Sequence, residues 1–437
     1  MTAHEQLVMP RESQRDIESY FDRLWPLLRS ITGPGVRQTH DILGELLPLK
    51  RIEVPSGTAA FDWTVPREWT AREAYVVDPD GRRRFDLKEN NLRLLNYSVG
   101  FRGVVSRSEL DAHLYSRPDL PDVIPYVTSY YEPRWGFCVT DKERHSLPDG
   151  DYEVVIDADH RDGSLTISEA VLPGKETGEV LFSSYTCHPS LANNELSGPL
   201  ATAFLYRRLA AWRERRLTYR FVFLPETIGA LAYLKMRGDH LRQKLLAGYV
   251  VTCVGLEAPF TYKRSRRGDC PVDRAAVHAL RHCGIDYQIR DFSPRGSDER
   301  QYCSPGFNLP VGSLMRGVYG EYPQYHTSFD DKSLISFAAL QRSIDTYESV
   351  CRTLDCNVTF RNLFPNGEPQ LGRRGLYSTL GAADQNPNAD ALLWLLNLAD
   401  GSHDLLATAE RSGLPIEQLW QAAMVAQKHG LVERCPS

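Results

Sequence analysis

Two histidines and three carboxylates stand where apolar runs of this chain give way to polar turns. His188 closes the run Glu179-Val-Leu-Phe-Ser-Ser-Tyr-Thr-Cys-His188, and Glu195 follows within Ala192-Asn-Asn-Glu-Leu-Ser-Gly198. Glu226 comes directly after Phe221-Val-Phe-Leu-Pro225, Asp298 lies in Pro294-Arg-Gly-Ser-Asp-Glu-Arg300, and His326 lies in the loop Tyr322–Asp330. One histidine alone is more often structural than functional. Two of them, together with carboxylates in similar places, form the nitrogen and oxygen donor set that zinc prefers, and a hydrolytic zinc site keeps one position open for water. Bound zinc brings the pKa of that water near neutrality, so that a neighbouring glutamate can remove its proton. Glu226 is the strongest carboxylate candidate, because a charge directly after an apolar run is costly to bury unless it is paired or used. The competing reading is a salt bridge to a nearby arginine.

The elements that must position these groups follow from hydrophobic spacing. Glu179–His188, Tyr219–Leu224 and Gly248–Gly255 read as buried strands, and Leu200, Phe204, Leu205 and Leu209 share one face of a helix between the first two. Strand, polar turn, helix, strand is the pattern of a parallel α/β sheet, in which ligands gather at the carboxyl ends of strands. Residues 12–48 hold two helical stretches around Thr32-Gly-Pro-Gly35, Asp273–Cys283 reads as a further helix, and Ser333–Leu354 as a long amphipathic one. From 69 to 149 short β-like runs alternate with turns, the texture of a small inserted β domain, with the large sheet resuming at Tyr152–Ala158 and Leu165–Glu169. The cluster Tyr130–Phe137 reads equally as the lining of a cleft or as an aromatic corner of that domain. A stretch rich in Gly, Asn, Pro and Arg at 357–388 reads as a linker, and 389–437 as three short helices and a wing.

The bulk numbers bound the rest. At 437 residues the chain exceeds one ordinary core, and 42% hydrophobic with 24% charged residues describes a globular protein. A formal net charge of −5 gives no general reason to expect nucleic acid or an anionic membrane as partner. Residues 390–434 carry six acidic against three basic side chains, which argues against a phosphate-binding role for the winged helix and against a transcriptional regulator. That module, or the inserted domain, is where a homo-oligomer would form. Nine cysteines without a C-x-x-C pair, an N-terminus without a secretory pattern, and no run of roughly 20 apolar residues point to a cytoplasmic protein.

Taken together, Cys187-His-Pro-Ser190, Ala192–Gly198, Pro225-Glu-Thr-Ile-Gly229, Gly296-Ser-Asp-Glu-Arg300 and Tyr325-His-Thr-Ser328 resemble the zinc-dependent aminopeptidase and exopeptidase superfamily. More closely they resemble a bacterial aminopeptidase-like branch with a small β domain inserted early and a winged helix at the end. The resemblance spans about 12–435. It implies an α/β fold with a mixed, mostly parallel sheet sandwiched by helices, divided as 12–68 with 150–356, an insert at 69–149, a linker at 357–388 and a winged helix at 389–437. It also implies that His188 and His326 are zinc ligands, that Glu226 is the general base, and that Asp298 lies beside the metal as a second catalytic carboxylate.

The departures from that pattern shape the chemistry expected. The superfamily's bridging aspartate is Asn194, the second glutamate of Glu-Glu-x-Gly is Thr227, and the aspartate near the end of the third strand falls at about Thr252. Amide and hydroxyl oxygens are poorer zinc ligands than carboxylates, so one zinc per chain is expected. It would be held by His188, His326 and a carboxylate, with Glu195 the first choice and Asp298 the second. Asn193 and Asn194 either hydrogen-bond substrate or cap the following helix, and Arg300 and Arg316 are candidates for binding a substrate anion. The expected activity is an aminopeptidase or amidase acting on a short peptide or an aminoacylated metabolite. The alternative is a peptidase-like protein without catalysis that binds a ligand or a protein partner.

Overall fold

The computed structural model describes residues 12–376 and 387–436; residues 1–11 and part of the expected linker lie outside them. An eight-stranded mixed sheet forms the main layer. Its order is Lys50–Pro55, Ser164–Leu172, Thr218–Leu224, Glu179–Tyr185, Leu245–Val250, Val311–Met315, Phe260–Lys263 and Tyr287–Arg290. The four central strands run parallel, and antiparallel pairing begins on either side of them. Glu179–Tyr185 is buried along its whole length because helices cover both faces. From it the chain crosses to Thr218–Leu224 on one side, then returns to Leu245–Val250 on the other. That reversal opens a crevice at the carboxyl ends of the central strands.

Helix Ser197–Ala210 is buried on nearly every side, and it is entered through a π-type turn at Ala192–Leu196. Such wide turns recur at functional sites because they reorient side chains that a regular helix would stack. Helix Gln14–Leu24 starts with a capping box, Ser13 and Asp16 each accepting the other's backbone N–H. Its apolar face of Ile17, Phe21 and Leu24 packs into the same core as helix Phe337–Cys356.

Two boundaries differ from expectation. Asp151–Arg161 belongs to the small sheet, not the large one, pairing with Glu68–Val77 and Phe101–Ser106. Alternating burial along it fits either sheet, so periodicity alone could not assign it. The insert therefore runs from about Glu68 to Arg161, and the large sheet resumes at Ser164. Likewise Thr359–Asn362, expected within a linker, is the central strand of the winged-helix sheet, between Asp400–Asp404 and Val432–Arg434. Helices Pro387–Leu398, Leu405–Ser412 and Ile416–Lys428 complete that module as expected.

The module is docked on the α/β domain through polar contacts. Arg274 on helix Pro271–His282 bridges Asp404 and Glu410 (3.1 and 2.8 Å). The first N–H of helix Ile416–Lys428 donates to His278 Nε2 at 3.2 Å in a buried setting, so the start of the would-be recognition helix faces the α/β domain. To accept this bond His278 must be neutral. Burial, reinforced by His282 and Arg281, holds its pKa down to about 4. His40, buried between Ser168 Oγ (2.8 Å) and Thr186 Oγ1 (2.9 Å), is held down to about 3 by burial and then by Arg51. Both rings are less basic folded than unfolded, so the stability they contribute is complete above the ordinary histidine pKa of about 6.5. It is lost as pH falls from there toward their folded values, at roughly 2 kcal/mol per ring by pH 5. The thermal midpoint is therefore expected to fall by several degrees between pH 7 and pH 5. His278→Gln, which keeps an acceptor for Ile416, should reduce the fall; an unchanged acid slope in that variant would refute the role given to His278.

Candidate functional site

His188 emerges from the end of the central strand and is fixed from behind. Its Nδ1 lies 2.8 Å from Glu195 Oε2, and its carbonyl accepts from Arg29 Nε at 2.8 Å. The same guanidinium donates to the Leu24 carbonyl at 2.6 Å and stands 3.8 Å from Glu195 Oε1. Arg29 and Glu195 have no exposed side-chain surface, so their charges balance each other inside the protein. With Nδ1 committed to Glu195, Nε2 faces the crevice, 3.6 Å from Glu226 Oε2. Burial alone would suppress the charged form of this ring, but Cys187 and Glu195 outweigh it and raise the pKa well above the usual value. Of the two, Glu195 matters at neutral pH, because burial pushes the Cys187 thiol up to about 11.

The second imidazole arrives from the opposite side of the crevice. The ring centroids of His188 and His326 are 5.4 Å apart. His326 has a positive φ of 55°, rare for a residue with a Cβ, and Tyr325 stacks on its ring at 4.0 Å. The inserted domain holds this loop in place. Tyr126 N–H donates to the His326 carbonyl at 2.8 Å, and Ser328 N–H to the Ile124 carbonyl at 2.8 Å. The Tyr126 ring packs against both imidazoles, with centroids at 5.0 and 5.2 Å. Burial and the neighbouring His188 push the pKa of His326 well down, and its Nε2 is buried without a hydrogen-bond partner. A neutral, unpaired imidazole nitrogen is a ready metal ligand.

Glu226 follows the strand Thr218–Leu224, with about a quarter of its side chain exposed. Its Oε1 accepts from Ser297 Oγ at 2.7 Å. The next residue, Thr227, has φ +63°, a strained value for a β-branched residue. That conformation turns its N–H onto Asp298 Oδ1 at 2.7 Å and leaves Oδ2 buried without a partner. Burial, then the charge of Glu226, raises the Asp298 pKa well above the carboxylate range. Arg300 stays exposed and donates to Thr227 Oγ1 at 3.3 Å, which places its guanidinium at the mouth.

One expectation needs correction, that for Arg316, and the other expected residues are placed as follows. Glu195 sits beside His188, with Oε2 2.8 Å from Nδ1 and Oε1 buried without a hydrogen-bond partner. Cys187, His188 and Glu195 offer ligand atoms within 4.8 Å of one another, a group that could hold a metal ion. Arg316 is buried, and its guanidinium is committed to the carbonyls of Ala258 (2.9 Å) and Ala339 (3.2 Å) rather than to a substrate. Asn193 Oδ1 accepts the Gly255 N–H at 2.8 Å, while its amide nitrogen is buried and unpaired. Asn194 keeps its candidacy: both of its polar side-chain atoms are buried and unpaired. Tyr130 bonds to Tyr126 behind the site (2.8 Å), whereas Trp135 stacks on Phe101 and His113 in the insert, so the 130–137 cluster serves both roles weighed for it.

The sequence reading missed four contributors. Arg29 orients His188, Tyr126 roofs the imidazoles, and Ser297 holds Glu226. Asp330 accepts the N–H groups of Asn193 (2.6 Å) and Asn194 (3.0 Å) and so fixes the turn between them. Arg29 carried a signal, as a lone cation directly after the apolar Leu27-Leu28. Replacing Arg29 with methionine would leave two buried carbonyls unpaired and the Glu195 charge uncompensated, so a loss of about 3 kcal/mol in unfolding free energy is expected. A denaturant midpoint equal to wild type would contradict that role.

Comparison with known proteins bears on the family and the fold. A family model described as a domain of unknown function (DUF4910) matches residues 19–357, and a winged helix-turn-helix model matches 358–434. A Clostridium acetobutylicum protein named for polysaccharide biosynthesis and an aminopeptidase-like domain is 44% identical over 413 residues, with 94% of each chain covered. The crystal structure of a peptidase from Clostridium acetobutylicum superposes with a TM-score of 0.91 at 42% identity, covering 97% of this chain and 96% of that one. A zinc aminopeptidase from Bacillus subtilis shares the fold alone, with a TM-score of 0.57 at 13% identity over 77% of this chain and 94% of that one. The chain thus belongs to the family described as a domain of unknown function (DUF4910), with an α/β fold like that of a zinc aminopeptidase and a winged helix at the C-terminal end.

Proposed function

We propose that this protein is a single-zinc hydrolase, an aminopeptidase or amidase that cleaves a short peptide or an aminoacylated metabolite. The observation that carries the proposal is the convergence of His188 and His326 beside Glu226. Two imidazoles on one tetrahedral ion have ring centroids about 5 Å apart, given zinc–nitrogen bonds of about 2.1 Å. The 5.4 Å separation fits that requirement. His188 Nε2 and His326 Nε2 would hold the ion, and the third place falls to Asp298 Oδ2 or Asn194 Oδ1, both buried and unpaired. Glu195 would act behind His188, in the carboxylate–histidine arrangement that raises ligand basicity. Zinc bound there would polarise the scissile carbonyl and acidify a water molecule.

The chain's own groups do the rest. Glu226 takes the proton on Oε2, the oxygen facing His188, and returns it to the leaving amine. Asn194 offers its amide to the substrate from the floor of the crevice, and Arg300 draws an anionic group to the mouth. The roof formed by Tyr126 and the insert favours small substrates. The inward-facing start of helix Ile416–Lys428 and the acidity of residues 390–434 favour protein contacts, including self-association, over nucleic acid. No helix among the described residues is long and apolar enough to cross a membrane. The nine cysteines are free, which favours a reducing compartment such as the cytoplasm.

A second reading, ligand binding without catalysis, draws on the three replaced acids. The hydroxyl of Thr252, for instance, is spent on the Asn194 carbonyl at 2.9 Å. Metal content and turnover separate the two. The hydrolase reading expects about one zinc per purified chain, lost on His188→Ala or His326→Ala. Glu226→Gln should retain the metal and lower kcat by roughly 10²–10⁴-fold. Full turnover by Glu226→Gln on a substrate found by screening would refute the base assignment.

A further inference from the structure

The turn Arg295–Arg300 delivers both Ser297 and Asp298 to the site, and its shape is set by a buried ion pair that the reaction does not use. Lys263, at the end of the strand Phe260–Lys263, is buried. Its Nζ donates to Glu299 Oε1 at 2.8 Å and to the Arg295 carbonyl at 2.5 Å. Glu299 has no exposed surface. Its Oε1 also accepts from Tyr319 OH at 2.8 Å, and both of its oxygens receive the Ser297 N–H at 3.2 Å. Gly296 bends the chain around this pair with φ +148°; a Cβ there would lie 2.1 Å from Glu299 Oε1 and 2.8 Å from Lys263 Nζ. Glycine is therefore required for the wrap.

We infer that Lys263, Glu299 and Ser297 form a positioning relay for Glu226, an inference that rests on Glu226 being the general base. The ion pair clamps the turn. The Ser297 hydroxyl then holds Glu226 Oε1, so that Oε2 faces His188 Nε2 at 3.6 Å. A glutamate side chain has several rotamers, and one with a quarter of its surface exposed would sample them if left free. The Cys187 thiol accepts the Glu226 N–H at 3.3 Å and restrains the backbone, but it leaves the carboxylate free to turn. Ser297 supplies the missing restraint. It does so as an uncharged donor.

The test uses zinc-loaded full-length protein and the variants Ser297→Ala, Ser297→Thr and Glu299→Gln. Kinetics would use whichever dipeptide or L-aminoacyl 4-nitroanilide wild type cleaves fastest in a screen. In a crystal structure of Ser297→Ala the backbone is expected to be unchanged and the Glu226 carboxylate to leave its present position. Its zinc content and thermal midpoint should match wild type. Its kcat should fall roughly 10–100-fold, the size of one lost hydrogen bond to a charged group, with KM within about threefold. Ser297→Thr, which keeps the hydroxyl, should restore both the carboxylate position and kcat. Glu299→Gln should shift the turn and lose kcat similarly; if it does not fold, the serine pair still decides. Glu226 unmoved in Ser297→Ala, or a loss confined to KM, would overturn the relay while leaving the base assignment intact. A fully active Glu226→Gln would instead remove the base assignment beneath it.

Discussion

A cation buried beneath an imidazole governs this structure. Arg29 leaves the end of the first helical segment and reaches the His188 carbonyl while standing beside Glu195, and neither charge sees solvent. Isolated charges at such depth would cost several kcal/mol each, so the arrangement persists only because the two are paired and hydrogen-bonded. Its consequence is directional. Glu195 occupies Nδ1, and the other nitrogen of His188 must face the crevice. The parallel strands bring Glu226 to the same edge, and the insert presses His326 toward it from above through the contacts of Ile124 and Tyr126. The small β domain is thus part of the site, not an accessory to it.

The replaced acids show how the remaining polar groups were rearranged. Where the exopeptidase pattern has anionic ligands, Thr252 and Tyr185 both donate to the Asn194 carbonyl, at 2.9 and 2.7 Å. Asp330 spends its carboxylate on the backbone of the Asn193–Asn194 turn. These groups build a rigid floor and no longer offer charge to a cation. Of the carboxyl groups left at the crevice, Glu226 is partly exposed, and Asp298 is buried with its pKa raised.

Much of this was legible in the sequence, and the limits have physical reasons. The central strands were readable because burial on both faces imposes continuous apolar runs, and their polar ends pointed directly to His188 and Glu226. Asp151–Arg161 was assigned to the wrong sheet because its alternation fits any half-covered strand. The contact of Glu195 with His188 Nδ1 comes from the π-type turn at Ala192–Leu196, which chain position does not encode. Arg316 shows the converse problem, a cation near a strand end whose side chain turns inward to backbone carbonyls. Tyr126 and Asp330 could be recognised only once the fold had joined segments about 60 to 200 residues apart.

The central claim is that His188 and His326 share one ion on their Nε2 face. An anomalous difference map at the zinc edge, from crystals grown with zinc, addresses it most directly. The account predicts one peak about 2.1 Å from both Nε2 atoms, with Glu195 still bonded to Nδ1. A peak among Cys187, His188 Nδ1 and Glu195 instead, or no peak near either ring at full zinc occupancy in solution, would contradict it.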